Sequence, residues 1–169
     1  MDEVHFQQHG SRCRMWIPPE IADPVCLHAP TRKSISFFGA VRLHDGKLVM
    51  SPPKGMFDAQ TCWDFLRKME RWSRSSARQV VVITDNARYH HATLHAAWRQ
   101  EMADHFRLHF LPPYSPELNP IERVWKLIRR SCLHNQYFPT LDCVVAAIQP
   151  RLHAWSRPNV TLRRLCSLL

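Results

Sequence analysis

The run Gln79-Val80-Val81-Val82-Ile83-Thr84 narrows the fold of this chain more than any other segment. Branched apolar residues fill it without polar alternation. That pattern belongs to a strand covered on both faces, as in a sheet with helices on either side. Phe106-Arg107-Leu108-His109-Phe110 reads as a second strand, and Thr93 to Met102 between them reads as a helix. The core of the chain is therefore expected to be an α/β sheet.

The remaining segments extend that plan. Val4-His5-Phe6-Gln7 is weakly strand-like. Residues 10–34 carry Gly10, Pro18, Pro19, Pro24 and Pro30 and read mostly as loop. Ser34 to Leu43 is rich in β-formers, His44-Asp45-Gly46 is a turn signal and Lys47 to Met50 follows, so a β-hairpin is expected. Asp58 caps a helix running to about Trp72, with Cys62, Phe65, Leu66, Met69 and Trp72 at helical spacing. Residues 73–78 form a polar connector and residues 112–120 a proline-rich loop. Asn119 suits an N-cap and Pro120 the first helical position of a helix with Ile121, Val124, Trp125 and Ile128 on its apolar face. A last helix starts near Thr140 and buries Leu141, Val144, Val145 and Ile148. Pro150 should break or kink it. These elements predict one domain over residues 1–155, α/β, with a mixed sheet flanked by helices. The tail over 156–169, with Arg163 and Arg164, is expected to be loosely held.

The chain has 169 residues, enough for one sizeable core. Its net charge of +9, from 23 Lys and Arg against 14 Asp and Glu, favours a polyanionic partner, nucleic acid above all. The 6 cysteines form no C-x-x-C pair and no zinc spacing, and apolar helix faces suit them as small hydrophobes. No apolar run reaches membrane-spanning length and no signal peptide is evident, so no membrane partner and a cytoplasmic location are expected.

Two carboxylates stand at element edges. Asp85 follows the apolar strand, and ligands of open α/β sheets bind beyond the carboxyl ends of strands. Asp85-Asn86 also suits a simple turn. Glu122 lies in the first turn of a helix, where Asn119-x-x-Glu122 is close to a capping box and Lys126 is an i,i+4 partner. Two such acids brought together could hold a divalent metal.

Taken jointly, the surrounding wording is more specific. Asp85-Asn86-Ala87-Arg88-Tyr89-His90 and Tyr114-Ser115-Pro116-Glu117-Leu118-Asn119-Pro120-Ile121-Glu122-Arg123-Val124-Trp125 resemble the two signature segments of the IS630/Tc1/mariner superfamily of DDE transposases, and its bacterial IS630 branch most closely. Asp2-Glu3-Val4-His5-Phe6 resembles the first acidic motif of that family. The resemblance implies an RNase H-like fold and a triad of Asp2, Asp85 and Glu122 that binds two Mg²⁺ or Mn²⁺ ions. It implies metal-dependent DNA cleavage and strand transfer in cut-and-paste transposition, on double-stranded element ends and a target that is usually TA. His90 matches a family histidine and either contacts the scissile phosphate region or is simply a helix-start residue. Asn86 and Asn119 orient the acids or cap helices, and capping suits Asn119 better. Tyr114 and Ser115 are candidates to line the site, and Trp125 is read as core.

Arg88, Arg123, Lys126, Arg129 and Arg130 are candidates for neutralising DNA phosphates, with Lys126, Arg129 and Arg130 on one helical stripe. Arg32 and Lys33 have less support. The family pattern has a helix-turn-helix region ahead of the first acidic motif, and its first strand begins before the aspartate. Here the strand is expected to be cut short at Met1. The chain is accordingly expected to work as a homodimer or with a helix-turn-helix-bearing half. The alternative is a catalytically inactive remnant that only binds DNA or a full-length partner.

Overall fold

A computed structural model of the chain describes residues 1–22, 24–53, 55–74 and 78–167. Five strands and five α-helices follow in the order β1 (Asp2–Gln7), β2 (Ser34–Val41), β3 (Leu48–Met50), α1 (Ala59–Ser73), β4 (Val80–Thr84), α2 (Ala96–Glu101), β5 (Phe106–Phe110), α3 (Ile121–Ile128), α4 (Leu141–Trp155) and α5 (Val160–Leu165). Residues 75–77 of the expected polar connector lie outside the described residues.

The sheet is mixed and built in two parts. β1, β2 and β3 pair antiparallel, with Asp2 opposite Gly39 and Gly39 opposite Met50. β4 and β5 pair parallel, Val80 opposite Phe106. One hydrogen bond joins the parts: the Met1 ammonium donates to the Ile83 carbonyl at 2.6 Å. β1 thus lies between β2 and β4, and among the described residues its backbone link to β4 is made by Met1, the residue just before it.

Strand alternation divides the core between the two faces of this sheet. Val4, Phe6 and Phe37 pack with Ile121, Val124, Trp125 and Ile128 of α3, Val144 and Ile148 of α4, and Leu162 of α5. Met1, Phe38, Val82 and Phe106 pack on the other face against Cys62, Phe65, Leu66 and Met69 of α1. That helix starts as expected. Asp58 accepts from the Thr61 backbone N–H at 2.7 Å, and Thr61 Oγ1 returns a bond to the Asp58 N–H at 3.0 Å, a reciprocal cap. Trp125 crosses the sheet beside Gly39, where any Cβ would collide with its ring.

Several expectations are corrected. β4 is not covered on both faces, because Val82 is 7% exposed but Val81 is 53% exposed and opens on a cavity. The helix expected over Thr93 to Met102 begins as a 3-10 turn at Thr93–His95. α4 runs through Pro150, which sits on its exposed side. There the carbonyl one turn back, at Ala146, is also exposed and open to water. Within the described part of the expected loose tail, residues 159–166 are held in place. Asn159 caps α5 by accepting from the Leu162 N–H at 3.0 Å, and its own N–H donates to Asp45 in the hairpin turn at 2.7 Å. Leu162 is fully buried. α3 passes into a π-helical turn over Arg129–Leu133. No helix among the described residues is long and apolar enough to cross a membrane.

Candidate active site

Three elements bring the acids of the two motifs and of β1 to one place. Asp2 opens β1, Asp85 follows the last residue of β4, and Glu122 lies in the first turn of α3. All three line a single cavity of ≈460 Å³, together with Asn86, Asn119, Tyr114 and Ser115. The proline-rich loop that closes its rim holds Tyr114 at φ 57° and fully exposed.

Asp2 is buried, at 8% exposure. The indole Nε1–H of Trp125 donates to its Oδ2 at 2.9 Å. Burial first, then the charges of Glu3 and Glu122, push the Asp2 carboxyl up to about 7; the Trp125 hydrogen bond and the Met1 ammonium oppose this. Burial pushes the Met1 ammonium itself down to about 6. A divalent metal bound among these acids would offset the repulsion that Glu3 and Glu122 exert on an ionised Asp2.

Asp85 is half exposed and behaves differently. The hydrogen bond from His90 holds its carboxyl below the usual range, against partial burial. His90 Nε2 lies 3.2 Å from Asp85 Oδ1 and 3.0 Å from Thr84 Oγ1, and the Ala87 N–H also donates to Oδ1 at 3.2 Å. The other ring nitrogen of His90, Nδ1, lies 3.2 Å from Cys62 Sγ. Burial pushes the Cys62 thiol up to about 12, so the S–H donates to Nδ1 and the Nε2–H faces Asp85. His90 is fully buried, so it positions Asp85 rather than meeting solvent.

Glu3 adds a carboxylate that the sequence reading passed over. Its Oε1 accepts from Tyr89 Oη, while Oε2 is buried with no hydrogen-bond partner. Ligand atoms of Glu3, Asp85 and His90 lie within 4.8 Å of one another. The pair Asp2-Glu3 at the start of β1 was the available signal.

The asparagines depart from expectation. Asn119 does not cap α3 with its side chain; Pro120 occupies the cap position. Its Nδ2 instead donates to the Met1 carbonyl at 3.1 Å, fastening the start of β1 to the start of α3. Asn86 Nδ2 donates to the Leu111 carbonyl and ties the ends of β4 and β5. Among the basic candidates, Arg88, Lys126 and Arg130 are exposed and carry no ion pair among the described residues. Arg123 is engaged elsewhere, donating to the carbonyls of Leu165 and Ser167 at 3.0 Å, which caps α5. Arg129 is half-buried over the Phe6 ring, 5.8 Å from its centroid.

The raised Asp2 carboxyl makes a pH prediction. Between an unfolded value of about 4 and a folded value of about 7 the native state holds the extra proton, so stability falls as pH rises. The Met1 amine acts in the opposite sense between about 6 and its ordinary value of 8.0. Melting in chelator should therefore show Tm falling from about pH 4 to about pH 6. Added Mn²⁺ should raise Tm more at about pH 7 than at about pH 5, as metal binding competes with the Asp2 proton. A Tm that rises with pH over the lower window contradicts this picture of Asp2.

Comparison with known proteins bears on the family and the fold. A family model described as DDE superfamily endonuclease matches residues 1–144. An uncharacterised protein of Sinorhizobium fredii, y4pE/y4sA, is 34% identical over 111 residues, covering 64% of this chain and 75% of that protein. Among solved structures, a pre-cleavage Mos1 transpososome matches with a TM-score of 0.70 at 18% identity, over 98% of this chain and 50% of that one. The Mos1 mariner paired-end complex with Mn matches at 0.65 and 17% identity, over 98% of this chain and 50% of that one. The Mos1 strand transfer complex matches at 0.67 and 19% identity, over 98% and 49%. The chain spans about half the length of the Mos1 chains it matches. These likenesses bear out the RNase H-like α/β fold.

Proposed function

The chain belongs to the DDE superfamily of endonucleases, and from that premise we propose that it is a transposase catalytic domain that cleaves DNA and joins element ends to a target in a metal-dependent reaction. The observation that carries this reading is the meeting of Asp2, Asp85 and Glu122 in one cavity, with Asp2 raised first by burial and then by the charges of Glu3 and Glu122. The three carboxylates are hard oxygen donors that fit Mg²⁺ or Mn²⁺. The Mos1 paired-end complexes with Mn and with Mg support those two ions. Asp2, Asp85 and Glu122 would hold such ions, which would supply activation of the attacking oxygen and stabilisation of the leaving one.

The protein's own part is positioning. Trp125 holds Asp2 by its indole N–H. Buried His90 holds Asp85 from within the fold. Asn119 ties the strand bearing Asp2 to the helix bearing Glu122. Arg88, Lys126 and Arg130 are the exposed cations left to meet phosphates. The substrates in this reading are double-stranded element ends and a TA target. The working form is a homodimer or an assembly with a helix-turn-helix-bearing half, as the paired ends of Mos1 suggest.

Incubating supercoiled plasmid with the chain and Mn²⁺, against chelator, tests the proposal; conversion to nicked circles only with metal supports it. A second reading is a chain that binds DNA without cutting it. DNA binding should fall steeply with salt in either case. Replacing Lys126 and Arg130 together by Ala should lower the log–log salt slope by about 2, read by fluorescence anisotropy on a non-specific duplex. An unchanged slope removes these two residues from the interface.

A further inference from the structure

Among the described residues that line the cavity of the three acids, Tyr114 alone carries an aromatic ring, and it is 101% exposed. A tyrosine ordinarily buries most of its ring on folding. The backbone here does the opposite. Tyr114 is one of two non-glycine residues with positive φ among the described residues, a left-handed conformation that a bulky side chain disfavours. Pro112, Pro113 and Pro116 bracket it, and each restricts its own φ. The loop is also tied down at both ends. Leu111 donates to the Thr84 carbonyl at 2.9 Å and accepts from Asn86 Nδ2, while the Leu118 N–H donates to the Ser115 carbonyl at 3.2 Å. Ser115 Oγ closes the turn on the Pro113 carbonyl at 3.3 Å. The ring is thus held out over the rim by a restrained loop.

The chemistry of the rim says what this ring can meet. From Pro112 to Leu118 the loop contains no cation, and its one charged residue, Glu117, is an exposed acid. Such a lip has no hold on a phosphate. It offers a neutral face instead, from the Tyr114 ring, Pro112, Pro113 and Leu118, all of them exposed. The cavity behind it is ≈460 Å³, the size of a small-ligand pocket, and Asp2 within it is 8% exposed. A phosphodiester that reaches Asp2 enters on one strand, with the complementary strand left outside. A base beside that phosphodiester then loses its stacking neighbour, which is costly, and a fixed aromatic face offsets the loss.

We infer that Tyr114 is a stacking platform for one unpaired nucleobase of a DNA strand, the base next to the phosphodiester held at the acids. The inference rests on the nuclease reading of the cavity, which brings the strand there, and adds the group that receives the base. Division of labour follows from charge. The acids and their metal take the phosphate, Lys126 and Arg130 stay available to the backbone elsewhere, and Tyr114 takes the apolar face of the base. Stacking uses the π-face that every base has, so the platform accepts any base and reads no hydrogen-bonding edge. The ring does this without its hydroxyl, and phenylalanine would serve as well. Full exposure of Tyr114 means that the core does not depend on the ring.

Fluorescence anisotropy on the intact chain tests this with two single strands of about twelve nucleotides, one of thymidines and one of abasic sugars carrying the same phosphates. The wild type should bind the thymidine strand more tightly by about tenfold or more. Tyr114→Ala should bind the thymidine strand about tenfold more weakly than the wild type and the abasic strand equally well. Tyr114→Phe should keep the preference for bases. The log–log salt slope should be the same in all three proteins, because no phosphate contact is lost. No loss on the thymidine strand in the alanine variant, or an equal loss on both strands, overturns the inference. So does a phenylalanine variant as weak as alanine, which assigns the contact to the hydroxyl, and so does a wild type that binds neither strand or both alike. A chain that shows the ring-dependent preference but never nicks plasmid fails the catalytic reading alone. One that nicks without the preference fails this inference alone.

Discussion

Asp85→Asn is expected to abolish Mn²⁺-dependent nicking of plasmid DNA, by about 10³-fold or more, equivalent to about 4 kcal/mol or more of transition-state stabilisation. Asparagine matches aspartate in shape. Its Oδ1 still accepts from the Ala87 N–H and still faces His90 Nε2, the two contacts that fix the side chain in the wild type. What disappears is one negative charge at the end of β4. A half-exposed carboxylate with a neighbouring histidine contributes little to folding, so the unfolding free energy should move by about 1 kcal/mol or less. Cleavage and stability should therefore separate. The proposed function also predicts weaker Mn²⁺ binding by titration calorimetry, because one hard oxygen donor has lost its charge. Nicking that survives in the variant, with a contaminating nuclease excluded, defeats the proposal. A melting point that collapses instead would make Asp85 a structural residue.

Trp125→Ala carries the largest expected cost to stability, about 3–5 kcal/mol in urea unfolding. Trp125 heads the largest fully buried side chains and stands at 1% exposure. Its ring lies edge-on to Phe6, with centroids 6.5 Å apart, and fills the space that Gly39 leaves open on β2. Alanine removes that contact area and leaves a cavity between β1 and α3 that neighbouring side chains cannot close. It also removes the one side-chain hydrogen bond to Asp2, on a carboxyl that burial already disfavours as an anion. Trp125→Phe separates the two roles. It keeps much of the packing and should cost less than the alanine variant. It still deletes the indole N–H, so the pH at which added Mn²⁺ begins to stabilise the protein should move upward. Alanine and phenylalanine variants that unfold at the same urea concentration would show that packing is not the main role of this residue.

The parts legible in the sequence were those written in contiguous residues. The run Val80–Thr84, the capping residue Asp58 and the apolar spacing of α1 each specify local geometry through nearby atoms, and each element formed where expected. Asp85 and Glu122 were recognisable because a motif travels with each, and both line one cavity with Asp2. The misread residues answer to distant partners. Asn119 has the chemistry of a cap, yet its amide serves the Met1 carbonyl, 118 positions away. Arg123 was a candidate for meeting DNA phosphates, yet it caps α5. Pro150 stays within α4 because the carbonyl it frees lies on the exposed side.

Periodicity, turn chemistry and three short motifs were enough to determine an α/β sheet, the membership of most helices, and the three acids that line one cavity. These follow from local backbone preference and from the burial of regularly spaced apolar side chains. Only the tertiary structure decided how that site is held. Trp125 reaches across the space beside Gly39 to Asp2, Cys62 and Thr84 set the tautomer with which His90 faces Asp85, and Glu3 joins the same neighbourhood. It alone decided that the Met1 ammonium reaches the Ile83 carbonyl of β4. Contacts of this kind depend on which distant groups the packing of the core brings within hydrogen-bond range, and spacing along the chain carries no record of that.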